Sequence, residues 1–156
     1  MPLEPLPTAE LADVAGFPIA MDARIRPVWR GARLAGPAFT VRTPPGEHPA
    51  VREAAERAPA GAVLVVDGAG ELQYALWGDK MSALARDRGL AGLVVDGAVR
   101  DVDGIEALGF PVFAAGSVPT PPLEVRSGDF VYGDTDGVVV VPQQLHDEIV
   151  ARIRTS

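Results

Sequence analysis

The chain has 156 residues, a formal net charge of −7 and 47% hydrophobic side chains, which excludes a disordered polar segment and allows a core of single-domain size. It contains no cysteine, two histidines (His48 and His146) and one lysine, Lys80, against thirteen arginines, so disulfides, thiolate metal centres and a cysteine nucleophile are excluded and a multi-histidine metal site is nearly so. The scattered arginines form no basic stripe for nucleic acid, no apolar run approaches a membrane span, and the acidic, proline-rich start lacks the regions of a signal peptide; the expectation is a cytoplasmic protein that engages neither nucleic acid nor membrane.

Glycine and proline punctuate the whole chain and mark no boundary, so residues 1–156 read as one domain with residues 1–7 as a flexible tail. Thr8 to Ala15 reads as a short helix capped by Thr8. A strand signal, AFTVRT, follows Gly36-Pro37, and Pro49 to Ala58 reads as a helix with proline in its first turn. Ala62 to Val66 and Leu93 to Val95 are short continuous apolar runs, as strands covered on both faces would be. Both run into Asp-Gly-Ala, giving LVVDGA at Leu64–Ala69 and again at Leu93–Ala98. Between them Asp79 to Arg88 has helical spacing and stops before Gly89, so the segment is a strand–helix–strand unit with a right-handed crossover. A helix over Asp101 to Leu108 leads to a strand at Val112 to Ala114. A last strand at Val138 to Val141 is entered from Asp134-Thr-Asp-Gly137, read as a hairpin turn rather than a calcium loop. Gln143 to Ile153 has the spacing of a terminal helix. The class is α/β.

In α/β sheets, ligands gather beyond the carboxyl ends of strands, at helix N-termini. Two segments have that placement. In Trp77-Gly78-Asp79-Lys80-Met81, Asp79 stands where a helix N-cap belongs, and the amides that follow have no intrahelical acceptors and suit a small carboxylate. In Gly97-Ala98-Val99-Arg100-Asp101, Arg100 offers a planar donor fork to a carboxylate or keto acid, and Asp101 offers hard oxygens to Mg²⁺ or Mn²⁺. Taken singly, each residue has a plain structural use as a helix cap or a surface ion pair.

Taken together, Gly78-Asp79, twenty residues, then Arg100-Asp101 form a spacing that resembles the family of regulator of ribonuclease activity A (RraA)-like proteins, which includes metal-dependent 4-hydroxy-4-methyl-2-oxoglutarate aldolases. The resemblance runs from Gly36-Pro37 to Pro142 through GAVLVVDGAG (61–70), Trp77–Met81, GLVVDGAVRDVDGI (92–105), GFPVFAAGSVP (109–119) and GDTDGVVVVP (133–142). It implies a swivelling β/β/α-type fold in a homotrimer or a dimer of trimers, with sites at subunit interfaces. It implies that Arg100 binds the pyruvyl part of a small 2-oxo acid, Asp101 holds a divalent cation such as Mg²⁺ or Mn²⁺, directly or through water, and Asp79 orients metal-bound water. It also implies that the backbone amides of Lys80 and Met81, after Gly78, bind the substrate carboxylate or keto oxygen. The activity implied is cleavage of a 4-hydroxy-2-oxo dicarboxylic acid to pyruvate, with decarboxylation of oxaloacetate as a side activity.

Three departures stand out. The chain passes quickly from Pro122 to Gly128, where relatives carry a longer strand-bearing insertion near the trimer interface. Gly46-Glu47-His48 stands where relatives show Gly-Asp-Asn, which makes His48 a candidate site-lining residue. Lys80 follows Asp79 in place of an apolar residue. Two rival functions remain: an imine-forming aldolase through Lys80, and a non-catalytic regulator that binds and inhibits ribonuclease E. A methyl-donor or nucleotide site is rejected, because Gly68-Ala-Gly70 begins a Gly-x-Gly-x-x-Gly turn that Gln73 breaks.

Overall fold

The computed structural model describes residues 3–44, 49–119, 126–135 and 137–155; His48 and most of the Pro122–Gly128 stretch lie outside the described residues. A five-stranded sheet has the order β1-β5-β4-β3-β2, built from β1 (Arg26–Pro27), β2 (Ala38–Arg42), β3 (Val63–Ala75), β4 (Gly92–Val99) and β5 (Val112–Ser117). Strands β2 to β5 are parallel, and β1 closes the edge antiparallel to β5. The connecting helices are α2 (Pro49–Arg57), α3 (Asp79–Asp87) and α4 (Val102–Leu108). Because the parallel strands are laid down in one spatial direction, crossovers of one hand put all three helices on one face.

The core lies between those helices and that face. Val51, Ala54 and Ala55 of α2, Ala85 of α3 and Ile105 of α4 pack against Leu64, Val66, Leu93, Val95 and Val112. Val94 and Phe113 point the other way, into a groove of about 980 Å³ under the N-terminal segment that carries α1 (Thr8–Ala15). Strand β4 is buried along nearly its whole length, which explains the unbroken apolar run LVV.

The remaining elements form a second sheet and a terminal helix. Strands β6 (Phe130–Asp134) and β7 (Gly137–Val141) pair antiparallel with Asp134 opposite Gly137, so the tetrapeptide is a hairpin turn as read. A single 3₁₀ turn, Gln143–Leu145, leads into α5 (His146–Thr155). His146 is used here: its Nε2 lies 2.7 Å from the Tyr132 hydroxyl and its ring stacks on Phe130.

Three sequence readings need correction. The cap of α1 is Pro7 and not Thr8, which lies inside the helix, and no side chain caps that end. Strand β3 runs nine residues past Val66 to Ala75, because a kink at Ala69 (φ 57) and Gly70 (φ 72) shifts its register against β4 and lets polar residues continue the strand. Helix α3 begins at Asp79, and its cap is Gly78.

A carboxylate pair at the strand ends

Parallel strands β3, β4 and β5 deliver their carboxyl ends to one edge of the sheet, and the two segments singled out in the sequence meet there. Trp77–Gly78 links β3 to α3; Arg100–Asp101 links β4 to α4. The links are laced together by backbone bonds from Leu76 N–H to the Ala98 carbonyl (2.8 Å) and from Arg100 N–H to the Trp77 carbonyl (2.9 Å).

Asp101 is the N-cap residue of α4, but its side chain does not cap its own helix. Its backbone is left-handed (φ 57, ψ 41), and its Oδ2 instead accepts from the Asp79 N–H, at 3.4 Å, at the start of α3. The carboxylate thus sits at the positive end of the neighbouring helix. Two glycines make room for this. A Cβ on Gly78 would stand 2.5 Å from Asp101 Oδ2, and one on Gly104 would stand 3.0 Å from Asp79 Cβ and Oδ2. Gly78 has extended backbone, so its role is close approach rather than conformational freedom.

Burial raises the Asp101 carboxyl from its ordinary value. The Asp79 charge and a hydrogen bond shared with the Asp79 carboxyl push the same way; the Asp79 backbone amide and Arg100 oppose. Arg100 Nε is 3.7 Å from Asp101 Oδ2, an ion-pair distance too long for a hydrogen bond, and its side chain is 49% exposed. The guanidinium fork is therefore free to meet a ligand from solvent.

Behind the pair the support is rigid. Trp77 is buried, stacks on Phe110 and donates from Nε1 to Ser82 Oγ at 2.7 Å; Ser82 Oγ in turn donates to the Gly78 carbonyl at 2.9 Å. Ser82 is fully buried, so this chain fixes the turn that presents Asp79. Ser82 and Gly104 are the two contributors that sequence reasoning passed over. The spacing Gly78…Ser82, one helical turn, and the glycine three residues after Asp101 were the available signals.

Of the residues predicted, the structure brings Gly78, Asp79, Arg100 and Asp101 together, with Lys80 and Met81 in the first turn of α3. Lys80 is exposed and Met81 half-buried against the core. Among the described residues no three His, Asp or Glu side chains converge, so the cluster contributes two carboxylates. Gly68-Ala69-Gly70 stays within β3 and opens no helix, which removes the context of a dinucleotide turn.

Residues 8–140 match the RraA-like family model, described as Aldolase/RraA. A protein of Halalkalibacterium halodurans, provisionally named 4-hydroxy-4-methyl-2-oxoglutarate aldolase, is 30% identical over 96% of this chain and 79% of its own. The solved structure of the RNA-processing inhibitor RraA from Thermus thermophilis superposes with a TM-score of 0.67 at 30% identity, covering 88% of this chain and 93% of that one. A Geobacillus kaustophilus structure titled S-adenosylmethionine: 2-dimethylmenaquinone methyltransferase gives 0.64 at 33% identity, over 91% and 98% of the two chains.

Proposed function

The chain belongs to the RraA-like family, and from that premise we propose that it is a divalent-metal-dependent lyase that cleaves 4-hydroxy-4-methyl-2-oxoglutarate, or a related 4-hydroxy-2-oxo dicarboxylic acid, to release pyruvate. The observation that carries this reading is the Asp79–Asp101 pair, two carboxylates held together beside an arginine that does not neutralise them fully. Hard oxygen donors of this kind suit Mg²⁺ or Mn²⁺, with water and substrate completing the shell. Asp101 would hold the ion, directly or through water. The ion would supply Lewis-acid stabilisation of the negative charge that builds on the keto acid as the carbon–carbon bond breaks.

The chain's own groups do the rest. Arg100 binds the pyruvyl end through its fork and adds fixed positive charge beside it. The Lys80 and Met81 amides, in the first turn of α3 and without intrahelical acceptors, receive the substrate carboxylate or keto oxygen. Asp79 orients water that takes the proton of the 4-hydroxyl, whose carbon becomes the new carbonyl as the carbon–carbon bond breaks, and that returns a proton to the methyl carbon of the released pyruvate. The same charge develops when oxaloacetate loses carbon dioxide, so that reaction accompanies the first. Only the Lys80 backbone is required, and borohydride with pyruvate should trap no adduct.

A coupled pyruvate-release assay on 4-hydroxy-4-methyl-2-oxoglutarate and oxaloacetate tests the proposal. Pyruvate release that needs Mg²⁺ and stops with EDTA supports it; no metal-dependent release from either acid overturns it. The likeness to the Thermus RNA-processing inhibitor favours a second reading, a regulator that binds ribonuclease E, which direct inhibition of that nuclease by the purified protein would establish. We further propose the trimer that the family implies; the hairpin leaves Phe130, Val131, Tyr132 and Val138 exposed, which suits burial against another copy. Light scattering on the purified protein measures the assembly.

A further inference from the structure

A separate space opens where β1 meets the end of β5. A cavity of about 170 Å³ lies between Arg24, Arg26, Val28, Val102, Ser117 and Thr135, and the other described residues of its wall are proline, alanine and glycine. Neither Asp79, Arg100 nor Asp101 lines it. Acids outnumber bases by 21 to 14 in this chain, yet among the described side chains two arginines and no carboxylate line this cavity. The two arginines are not equivalent. Arg24 is committed elsewhere: its Nη2 donates to both Asp96 oxygens, at 2.9 and 2.8 Å. Arg26 has no acidic partner among the described residues. It pairs with Ala114 across the β1–β5 edge.

We propose that this cavity is a second carboxylate site, separate from the Asp79–Asp101 cluster, that takes a small aliphatic mono- or dicarboxylate anchored by Arg26. The guanidinium fork matches a carboxylate in two parallel hydrogen bonds, and Ser117 and Thr135 bring hydroxyls to the same space. The apolar part of the wall selects among anions. Val28 and Val102 offer an apolar wall that the hydrocarbon chain of an aliphatic acid can cover and inorganic phosphate cannot. Size agrees, since an engineered protein cavity of about 150 Å³ holds benzene. Thr135 belongs to the tip of the β6–β7 hairpin, so an occupant would tie the second sheet to the edge of the first.

Calorimetric titration with succinate tests this on the wild-type protein and on Arg26→Gln, Arg26→Lys and Arg100→Ala. The expected result is a succinate-binding event that Arg26→Gln weakens about tenfold or more and Arg26→Lys to an intermediate degree, since lysine keeps the charge but not the fork. The Arg26-dependent binding should persist in Arg100→Ala, because Arg100 does not line this cavity. Three results overturn the proposal: no succinate binding to the wild type at millimolar concentration, unchanged binding in a folded Arg26→Gln or Arg26→Lys, or inorganic phosphate binding as tightly as succinate. Loss of binding in Arg100→Ala overturns it too, by assigning the acid to the cluster at the strand ends. That cluster's own function is read separately from Mg²⁺-dependent pyruvate release, so either conclusion can fail alone.

Discussion

The molecule holds two pairs of neighbouring aspartates and treats them in opposite ways. Asp67 and Asp96 stand in register on adjacent parallel strands, as equivalent positions of the repeated LVVDGA. Each has its own arginine: Arg42 Nε donates to Asp67 at 3.1 Å, and Arg24 Nη2 reaches Asp96 at 2.8 Å. A hydrogen bond from the Ala69 amide, then one from Arg42, hold Asp67 below its ordinary pKa. At the strand ends, Asp101 has a long contact from the Asp79 amide and an arginine at 3.7 Å, and its carboxyl is raised. The first pair is neutralised within the chain and holds segments of the sheet together. The second is left short of positive charge, the condition a site for an external cation requires.

Substitutions can break this contrast or sharpen it. Asp101→Asn should have the largest effect, eliminating metal-dependent pyruvate release while the far-ultraviolet circular dichroism stays unchanged. Arg100→Ala should lower kcat/KM for pyruvate release by about 10²–10³-fold, the cost of removing one preorganised charged donor, without lowering Tm; unchanged kinetics would sink the site assignment. Asp96→Ala should do the reverse, lowering Tm by a few degrees because Arg24 loses its partner, and leaving kcat close to wild type. The smallest effect is in pH dependence, and its sign differs between the pairs. Asp67, with a lowered folded pKa, contributes stability that is present above the unfolded value and is lost as pH falls. Asp101, with a raised folded pKa, makes stability fall as pH rises from the unfolded value through the folded one. Tm measured in EDTA between about pH 3 and 7 should therefore lose its acid-side decline in part with Asp67→Asn, and gain at neutral pH with Asp101→Asn.

Legibility in the sequence followed physical locality. Strands β4 and β5 and helices α2, α3 and α4 were readable because apolar runs, caps and punctuating glycines are signals within a few residues. Strand β6 was not, because Phe130–Asp134 leaves its apolar side chains exposed and has no covered face to write a pattern. The two-residue β1 exists only through its pairing with β5. At the site, residue types placed the two segments singly at strand ends, and the family resemblance joined Asp79, Arg100 and Asp101, which the structure makes neighbours. Neither could show that Asp101 serves the helix beside its own, or that Gly104 clears the space for Asp79, since both facts depend on how α3 and α4 pack.

The left-handed backbone at Asp101 also bears on how this site could be lost over time. Aspartate, asparagine and glycine enter that conformation at low cost, whereas β-branched and bulky residues do not. A lineage that gave up the chemistry and kept the fold would drift first to asparagine or glycine here, and asparagine would preserve an acceptor for the Asp79 amide. Those two residues at this position, beside an otherwise intact Gly78 and Gly104, would therefore mark a copy that keeps the local backbone without the second carboxylate.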